Sequence, residues 1–282
     1  MAKLLEGKPI AEKIKAEIVQ EIKSLQQAPV LASIQVGENI GAASYVKSQA
    51  KLAESLGVVY QLHKLSQETS ENALIAFIQK LNTEKKVNGI IVQMPLPAQI
   101  DYKKISQFIS PEKDIEGMHP ANMGKIVFGK AKILPCTPAA VMELLNSTGI
   151  ELYGKEVVVV GHSEIVGKPL SLLLLDKFAT VTVCHIGTSK AGKLEEHVKK
   201  AEVLIVAVGK AGLIKGEWIK EGAIVIDVGI NRVGDKIVGD VEFQEASKRA
   251  SWITPVPGGV GPLTVTMLMR NLVEATKIQT QC

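Results

Sequence analysis

The strongest chemical signal in the sequence is a glycine-containing loop that follows a run of valines. After Glu156-Val157-Val158-Val159-Val160 the chain reads Gly161-His162-Ser163-Glu164-Ile165-Val166-Gly167 and then enters a predicted helix. Glycines allow the backbone to approach a phosphate, and free N–H groups at the start of a helix attract an anion. This pattern predicts dinucleotide binding, although Ser163 stands where the G-x-G-x-x-G fingerprint has its second glycine. An ordinary tight turn is the alternative.

The end of the next predicted strand bears on which nicotinamide cofactor would bind. NAD sites usually carry an acidic residue about 20 positions further on, where it binds the ribose 2′-hydroxyl. The chain reads Cys184-His185-Ile186-Gly187 there, with neither an acid nor an arginine for a 2′-phosphate. The missing acid and the nearby Lys190 and Lys193 favour NADP, and NAD stays possible.

A second group of polar side chains belongs to the first half of the chain. Gln93 ends an apolar predicted strand, and Tyr45 and Gln49 lie four residues apart on one face of a predicted helix. Open α/β folds bind ligands at the carboxyl ends of their strands, which makes this group a candidate substrate site. A rim aromatic at Tyr45 and a strand-end polar group at Gln93 are the alternatives.

Two further segments could contribute to chemistry. Asp114-Ile115-Glu116-Gly117 holds two carboxyl groups that could transfer protons or could simply form a turn. Residues 254–264 combine prolines, which fix φ, with glycines, which permit close backbone approach. This stiff loop is either the wall of a site for a flat ligand or a rigid crossover. His119, His162 and His185 lack the spacing of metal ligands, so we predict no metal site.

The pattern of apolar residues predicts the scaffold that positions these candidates. Segments with helical spacing alternate with continuous apolar runs, which predicts an α/β fold with parallel sheets covered on both faces. The predicted helices cover residues 9–25, 43–56, 70–81, 137–148, 167–177 and 262–277, and the predicted strands cover 30–36, 58–65, 89–93, 156–160, 180–184, 203–208 and 223–227.

The regular alternation breaks between Ser110 and Pro135, where an irregular composition predicts a functional loop. We therefore place a domain boundary near residue 140. We expect a two-domain α/β fold in which residues 1–140 form an N-terminal three-layer α/β domain and residues 141–261 a Rossmann-like dinucleotide-binding domain. A helix within residues 262–282 returns to the first domain.

Length and composition predict a soluble globular protein of one or two domains. The chain has 282 residues, of which 46% are hydrophobic and 22% charged. No stretch approaches the ~20 apolar residues that a membrane span needs. A net charge of +4 and an aromatic content of 4% argue against a nucleic-acid partner. The three cysteines are too dispersed for a disulfide framework, and we expect a cytoplasmic location.

Several motifs occur together and in one order along the chain. They include Val92-Gln93-Met94-Pro95-Leu96-Pro97 and Pro255-Val256-Pro257-Gly258-Gly259-Val260-Gly261-Pro262, with residues 111–117, 135–138, 161–167 and 216–220 between them. In these motifs the chain resembles, over nearly its whole length, the bifunctional methylenetetrahydrofolate dehydrogenase/methenyltetrahydrofolate cyclohydrolase family, the FolD family.

The resemblance implies two consecutive reactions at one site. A hydride passes from the methylene bridge of 5,10-methylenetetrahydrofolate to NADP, and water then opens the methenyl cation to 10-formyltetrahydrofolate. The resemblance also implies a homodimer that binds the nucleotide on its second domain and takes a tetrahydrofolate derivative as substrate.

The resemblance further implies roles for individual residues. Tyr45 matches the tyrosine that stacks on folate, Gln93 the glutamine beside the catalytic lysine, and Glu116 the acid that binds the pterin. The residues that match the backbone wall of the folate site are Pro257, Gly258, Gly259, Val260 and Pro262. The residues at positions of dinucleotide contact are Gly161, His162, Ser163, Ile165, Ile186 and Ile230.

Four positions depart from the family pattern. Gln49 stands at the position of the catalytic lysine, and Glu116 replaces an aspartate that is one methylene shorter. His162 stands where an arginine often binds the 2′-phosphate, and Ile186 where a serine is often found. Because a neutral histidine lacks the charge of an arginine, we hypothesise a relaxed preference for NADP.

The change at Gln49 bears on the second reaction. A glutamine neither titrates nor carries a positive charge, and Lys47 and Lys51 are rotated by about 200° around the helix from it. We hypothesise that the cyclohydrolase step is weak or absent while hydride transfer survives. A displaced lysine or a water chain that restores the step is one alternative, and a non-catalytic folate-binding paralogue is another.

Overall fold

The computed structural model describes residues 1–38 and 40–280. The chain divides into two compact units, each built from two stretches of chain. The six-stranded unit comprises Met1–Glu12 and Thr137–Thr264, and the three-stranded unit comprises Lys13–Cys136 and the chain from Val265 onward. Residues 1–12, which the sequence analysis grouped with the first domain, thus belong to the six-stranded unit.

The described residues form eleven strands and eleven α-helices. The strands are β1 (Lys3–Leu4), β2 (Val30–Val36), β3 (Val59–Leu65), β4 (Gly89–Val92), β5 (Glu156–Val160), β6 (Thr180–Cys184), β7 (Val203–Val206), β8 (Ile224–Asp227), β9 (Asn231–Val233), β10 (Lys236–Val238) and β11 (Trp252–Ile253). The helices are α1 (Gly7–Ser24), α2 (Ile40–Leu56), α3 (Glu71–Thr83), α4 (Tyr102–Ile105), α5 (Pro120–Val127), α6 (Cys136–Ser147), α7 (Gly167–Leu175), α8 (Ile186–Lys190), α9 (Leu194–Lys200), α10 (Phe243–Arg249) and α11 (Val260–Thr280).

The three-stranded unit has a parallel sheet in the order β3-β2-β4. Strand β4 is buried along its whole length, as its continuous apolar run predicts. Helix α3 begins where Ser70 accepts a hydrogen bond from the Ala73 N–H at 3.2 Å, and it buries Leu74, Ile78 and Leu81. The packing of α3 against the sheet fixes the end of β4, which Gln93 directly follows.

The last helix, α11, completes the three-stranded unit, in agreement with the expected fold class. The Asn271 side-chain amide donates hydrogen bonds to the carbonyl oxygens of Ile115 at 2.8 Å and Leu134 at 2.7 Å. These bonds attach α11 to the segment that carries the acidic motif. The helix begins at Val260 rather than at the predicted Pro262, so Pro262 lies inside its first turn.

The six-stranded unit has a parallel sheet in the order β1-β11-β8-β7-β5-β6. Strands β7 and β8 are buried at every position, and β5 at every position after Glu156. The four strands β6, β5, β7 and β8 are neighbours and run in one direction, so their carboxyl ends share one edge of the sheet. The glycine loop follows β5 at this edge.

The segment between Ser110 and Pro135 is more regular than the sequence predicted. It contains α5, which begins at Pro120 and is capped by His119, whose Nδ1 accepts a hydrogen bond from the Ala121 N–H at 3.0 Å. The prolines and glycines concealed this helix, although proline is favourable in the first turn. The short helices α8, α9 and α10 and the hairpin β9–β10 were also missing from the predicted elements.

Three properties of the described residues bear on the chemistry. No helix among them is long and apolar enough to cross a membrane. They contain no group of His, Cys, Asp and Glu side chains arranged to hold a metal ion. Cys136 and Cys184 are free thiols.

Candidate active site

A buried hydrogen-bonded network lies where β2 and β4 meet α2. Gln93 directly follows β4, and its side-chain nitrogen Nε2 donates to Ser33 Oγ at 3.0 Å and to Gln49 Oε1 at 2.7 Å. The Tyr60 hydroxyl also donates to Gln49 Oε1, at 3.2 Å. The fold thus brings together Gln49 and Gln93, which are 44 residues apart in the sequence.

Gln49 is fully buried, yet one of its polar atoms has no partner. Its Oε1 accepts two hydrogen bonds, whereas its Nε2 has no hydrogen-bond partner among the described residues. Tyr45 lies one turn earlier in α2, and burial is the largest cause that raises the pKa of Tyr45 to about 12. The Tyr45 hydroxyl is therefore uncharged near neutral pH. An unpartnered amide donor beside it is suited to a ligand acceptor.

Glu116 belongs to the same cluster. The Tyr102 hydroxyl donates to Glu116 Oε2 at 3.1 Å. Burial, reinforced by the charge of Asp114, raises the pKa of Glu116 to about 7. The charge of Glu116 in turn contributes to the raised pKa of Tyr45, so the two side chains lie within electrostatic reach.

Asp114 has a different role from Glu116. Its Oδ2 accepts hydrogen bonds from the His119 N–H at 2.7 Å and from the Asn122 side-chain amide at 3.0 Å. Asp114 is buried and holds the turn that leads into α5. The acidic motif is therefore not an equivalent pair, because Asp114 accepts hydrogen bonds from the turn itself, whereas the described donor to Glu116 is the Tyr102 hydroxyl.

Cys136 supports the cluster and is not a nucleophile. Its Sγ lies 3.7 Å from the Ile115 carbonyl oxygen and 3.7 Å from the Asn271 side-chain nitrogen. Burial raises the pKa of this thiol well above its ordinary value, and the charge of Glu116 adds to the effect. The sulfur is therefore protonated near neutral pH, whereas a nucleophilic cysteine needs a thiolate.

In the six-stranded unit, close backbone packing requires the glycines of the loop after β5. Gly161 has a φ of 126°, and a Cβ on it would lie 2.3 Å from the Ala207 carbonyl oxygen. A Cβ on Gly167 would lie 2.0 Å from the Gly161 carbonyl oxygen. Ser163 Oγ accepts a hydrogen bond from the Val166 N–H at 3.1 Å, so this serine shapes the turn into α7.

Exposed side chains border this loop. The rings of His162 and His185 meet edge to face with centroids 5.0 Å apart, which places the loops after β5 and β6 side by side. Ile165, Ile186 and Ile230 are 56%, 66% and 69% exposed, although all three are apolar. Ile230 follows β8 and so belongs to a third loop at the same edge. Exposed apolar groups of this kind can pack on the faces of a flat ring.

Two buried aspartates, neither of them among the residues predicted from the sequence, organise the same edge. Asp240 Oδ2 accepts from the N–H groups of Val208 at 2.7 Å and Gly209 at 2.9 Å, and its Oδ1 accepts from the Lys210 N–H at 2.8 Å. Asp227, the last residue of β8, accepts from the Asp240 N–H at 3.0 Å. Burial raises the pKa of Asp227 to about 6. The sequence feature that could have identified Asp227 is its position at the end of an apolar strand.

The proline- and glycine-rich loop lies in the six-stranded unit. Gly258 has a φ of 115°, and its carbonyl oxygen accepts a hydrogen bond from the Gly7 N–H at 2.9 Å. Gly259 and Val260 are buried, whereas Pro257 and Pro262 are exposed. The loop is therefore anchored through its glycines and exposes its prolines.

Comparisons with known proteins agree with this geometry. Family models for the tetrahydrofolate dehydrogenase/cyclohydrolase match residues 5–116 as the catalytic domain and residues 135–280 as the NAD(P)-binding domain. The chain is 52% identical to the bifunctional protein FolD of Geotalea uraniireducens, with 98% of this chain and 99% of that protein covered.

Solved structures of the same kind are also similar. The bifunctional FolD enzyme of Campylobacter jejuni matches with a TM-score of 0.95 and 44% identity over 99% of both chains. The methylenetetrahydrofolate dehydrogenase-cyclohydrolase of Trypanosoma brucei, which was solved with NADP and an inhibitor, matches with a TM-score of 0.93 and 38% identity. That match covers 100% of this chain and 99% of the other.

The parallel six-stranded sheet and its glycine loop have the arrangement of a dinucleotide-binding domain, and the family model identifies it as the NAD(P)-binding domain of a dehydrogenase. The polar cluster of the three-stranded unit belongs to the catalytic domain that the family model delimits. The chain belongs to the tetrahydrofolate dehydrogenase/cyclohydrolase family, as its motifs predicted.

Proposed function

We propose that this protein oxidises 5,10-methylenetetrahydrofolate to 5,10-methenyltetrahydrofolate with NADP, and that it has little or no cyclohydrolase activity. The observation that carries the proposal is the uncharged hydrogen-bonded network of Gln49, Gln93 and Tyr60, with the uncharged Tyr45 one helical turn before Gln49. Family membership supports the oxidation. The fully buried amide of Gln49, at the position where the resemblance places a lysine, supports the loss of the second step.

The oxidation needs orientation of the substrate more than proton transfer. The two nitrogens that flank the methylene bridge stabilise the cation left when hydride departs. Glu116 would accept hydrogen bonds from the N–H groups of the pterin, and the uncharged Tyr45 would stack on the folate. We assign the folate to the polar cluster of the three-stranded unit.

NADP, when bound, supplies the hydride acceptor. The loop of Gly161, His162 and Ser163 would hold the phosphates, because its glycines pack without side chains and its polar residues are exposed. The exposed side chains of Ile165, Ile186 and Ile230 would pack on the flat rings. In this assignment the six-stranded unit is the NAD(P)-binding domain.

The proposed loss of the cyclohydrolase step follows from proton chemistry. Attack of water on the methenyl carbon releases a proton and then requires one at the departing ring nitrogen. Gln49 cannot supply or accept it, because an amide has no pKa in the relevant range. Tyr45 cannot accept it either, because a pKa of about 12 keeps its hydroxyl protonated near neutral pH. Glu116, whose pKa is about 7, is assigned to the N–H groups of the pterin and not to the methenyl carbon.

The test is a lysine introduced at this position. In the unchanged protein we expect methenyltetrahydrofolate and reduced cofactor to rise together, and the methenyl absorbance then to decay no faster than without enzyme. In Gln49→Lys we expect enzyme-dependent decay, faster by about 10²-fold or more, since general acid–base groups contribute 10²–10⁴-fold.

Gln49→Met is the matched control, because it keeps the length of the side chain and should not accelerate the decay. Enzyme-dependent decay in the unchanged protein would contradict the proposed loss and would favour the bifunctional alternative. Absence of reduced cofactor with both NADP and NAD would favour the non-catalytic alternative.

We also propose that the protein is a cytoplasmic homodimer. Cys136 and Cys184 are free thiols, which is the usual state in the reducing cytoplasm. Strand β6 ends the six-stranded sheet and has exposed positions, so its backbone can pair with another chain.

A further inference from the structure

Tyr102 is the side chain that fixes the carboxyl group of Glu116. It is the first residue of α4, which is capped by Asp101 through a hydrogen bond from the Lys103 N–H at 2.9 Å. The ring packs against the apolar core of the three-stranded unit, and the hydroxyl donates to Glu116 Oε2 at 3.1 Å. Tyr102 therefore reaches the acidic motif from a different element, with its own position fixed by packing.

Glu116 needs such a partner more than an aspartate would. Its side chain has one more rotatable bond, and each immobilised bond has an entropic cost. A carboxylate has about four lone-pair sites, so a hydrogen bond to Oε2 leaves Oε1 free to accept from a ligand. The contact thus selects one orientation of the carboxyl group without closing it to a substrate.

We infer that Tyr102 is a positioning residue, which holds the Glu116 carboxylate in the orientation that accepts the N–H donors of the pterin ring. The inference rests on the proposed function, since it assumes a pterin-containing substrate. It assigns to Tyr102 a role in substrate recognition that acts only through Glu116.

The charges around Glu116 set the pH at which this contact matters. The titratable groups that face it are Asp114, Tyr45, Tyr102 and Cys136. Burial and Asp114 raise the pKa of Glu116 to about 7, while the bond from Tyr102 lowers it. The pKa of Tyr102 is itself strongly raised, mainly by burial, so its hydroxyl remains a donor. Removal of this donor must raise the pKa of Glu116 further.

The first experiment compares the unchanged protein with Tyr102→Phe, which keeps the packed ring and removes the donor. We expect the dissociation constant of 5-formyltetrahydrofolate and the KM for 5,10-methylenetetrahydrofolate to rise about tenfold, with kcat within about twofold. The acid limb of kcat/KM for the folate should move to higher pH, because ionised Glu116 then forms only above a higher pKa.

A second pair of variants separates positioning from a general structural role. In Glu116→Asp the carboxyl group withdraws by roughly 1.5 Å, beyond hydrogen-bond distance of Tyr102. We therefore expect Tyr102→Phe to have no further effect on folate binding in the Glu116→Asp background. An equal loss in both backgrounds would overturn the inference, as would unchanged folate binding and pH dependence in Tyr102→Phe.

The two readouts keep this inference distinct from the proposed function. Binding of 5-formyltetrahydrofolate without turnover by the unchanged protein would reject the proposed dehydrogenase activity, while the dissociation constants would still decide the role of Tyr102. Failure of the unchanged protein to bind the folate would reject both.

Discussion

The residues of the catalytic cluster differ from the family pattern in charge as well as in size. Where the resemblance places a lysine and an aspartate, this chain has Gln49 and Glu116. Burial and the charge of Asp114 raise the pKa of Glu116 to about 7, so part of this carboxyl group is protonated near neutral pH. A proton on Glu116 can then offset the negative charge that the lysine would have balanced. The two substitutions are therefore compatible with each other in one site.

His162 carries a prediction about the cofactor. An imidazole offers a 2′-phosphate one hydrogen bond, whereas a guanidinium is permanently charged and can form two charge-assisted hydrogen bonds. We expect the unchanged protein to use NADP and NAD with kcat/KM values within about tenfold of each other. His162→Arg should raise the NADP/NAD ratio by at least about tenfold, as one charged hydrogen bond contributes ~1.5–3 kcal/mol.

The measurement is the initial rate of cofactor reduction over a range of NADP and NAD concentrations. His197→Arg is the control, because it makes the same substitution on α9, outside the glycine loop. A roughly thousandfold preference for NADP in the unchanged protein would contradict the assignment of His162 as the weak position.

At the scale of elements, the loop after β7 depends on one buried carboxylate. Asp240 is fully buried and accepts hydrogen bonds from three consecutive backbone N–H groups, of residues 208–210, and from the Asn231 side-chain amide. Its removal leaves these donors unpaired at an edge where the dinucleotide loops converge. Unpaired buried donors cost roughly 1–3 kcal/mol each, although relaxation of the loop reduces the sum.

We therefore expect Asp240→Ala to reduce the free energy of unfolding by ~3 kcal/mol and to raise the KM for NADP. Thermal unfolding and cofactor kinetics measure the two effects. Asp235→Ala is the matched control, because Asp235 is exposed in the turn between β9 and β10 and should change neither quantity. An Asp240→Ala protein with unchanged stability and cofactor KM would show that Asp240 does not hold the loop.

Helices and strands were predictable from the sequence where the residues that specify them are adjacent in the chain. The valines of β5 and the cap at Ser70 stand next to the residues that they organise, and both predictions hold. Helix α5 was missed because it contains Pro120 and Gly124 and lies in a segment whose composition is typical of a loop. The bond between Tyr102 and Glu116 joins helix α4 to a turn 14 residues further on, and no local pattern specifies this contact. Candidate residues could thus be named from the sequence, but their hydrogen-bond partners could not.

At the scale of the whole molecule, the edge of the six-stranded sheet carries an unusual phenylalanine. Phe178 has a φ of 58°, and among the described residues it is the only non-glycine with a positive φ. This conformation costs a residue with a side chain ~1–2 kcal/mol relative to glycine or asparagine. The ring is 71% exposed and its described aromatic neighbour is Tyr153, with ring centroids 5.7 Å apart. Within a single chain the exposed ring contributes little to stability. A second copy of the chain packed against β6 would bury it.

We expect the unchanged protein to be a dimer at micromolar concentration. The dimer dissociation constant of Phe178→Asn should be at least about tenfold higher, because a buried aromatic side chain at an interface contributes ~2 kcal/mol or more. The folded chain itself should be as stable or more stable, because asparagine adopts this conformation at lower cost. Molar mass over a dilution series and thermal unfolding at low concentration measure the two quantities. Phe128→Asn is the control, because Phe128 is 76% exposed but lies at the end of α5 in the other unit. If the unchanged protein is monomeric, or if both variants dissociate at the same concentration as the unchanged protein, Phe178 is not at the dimer interface.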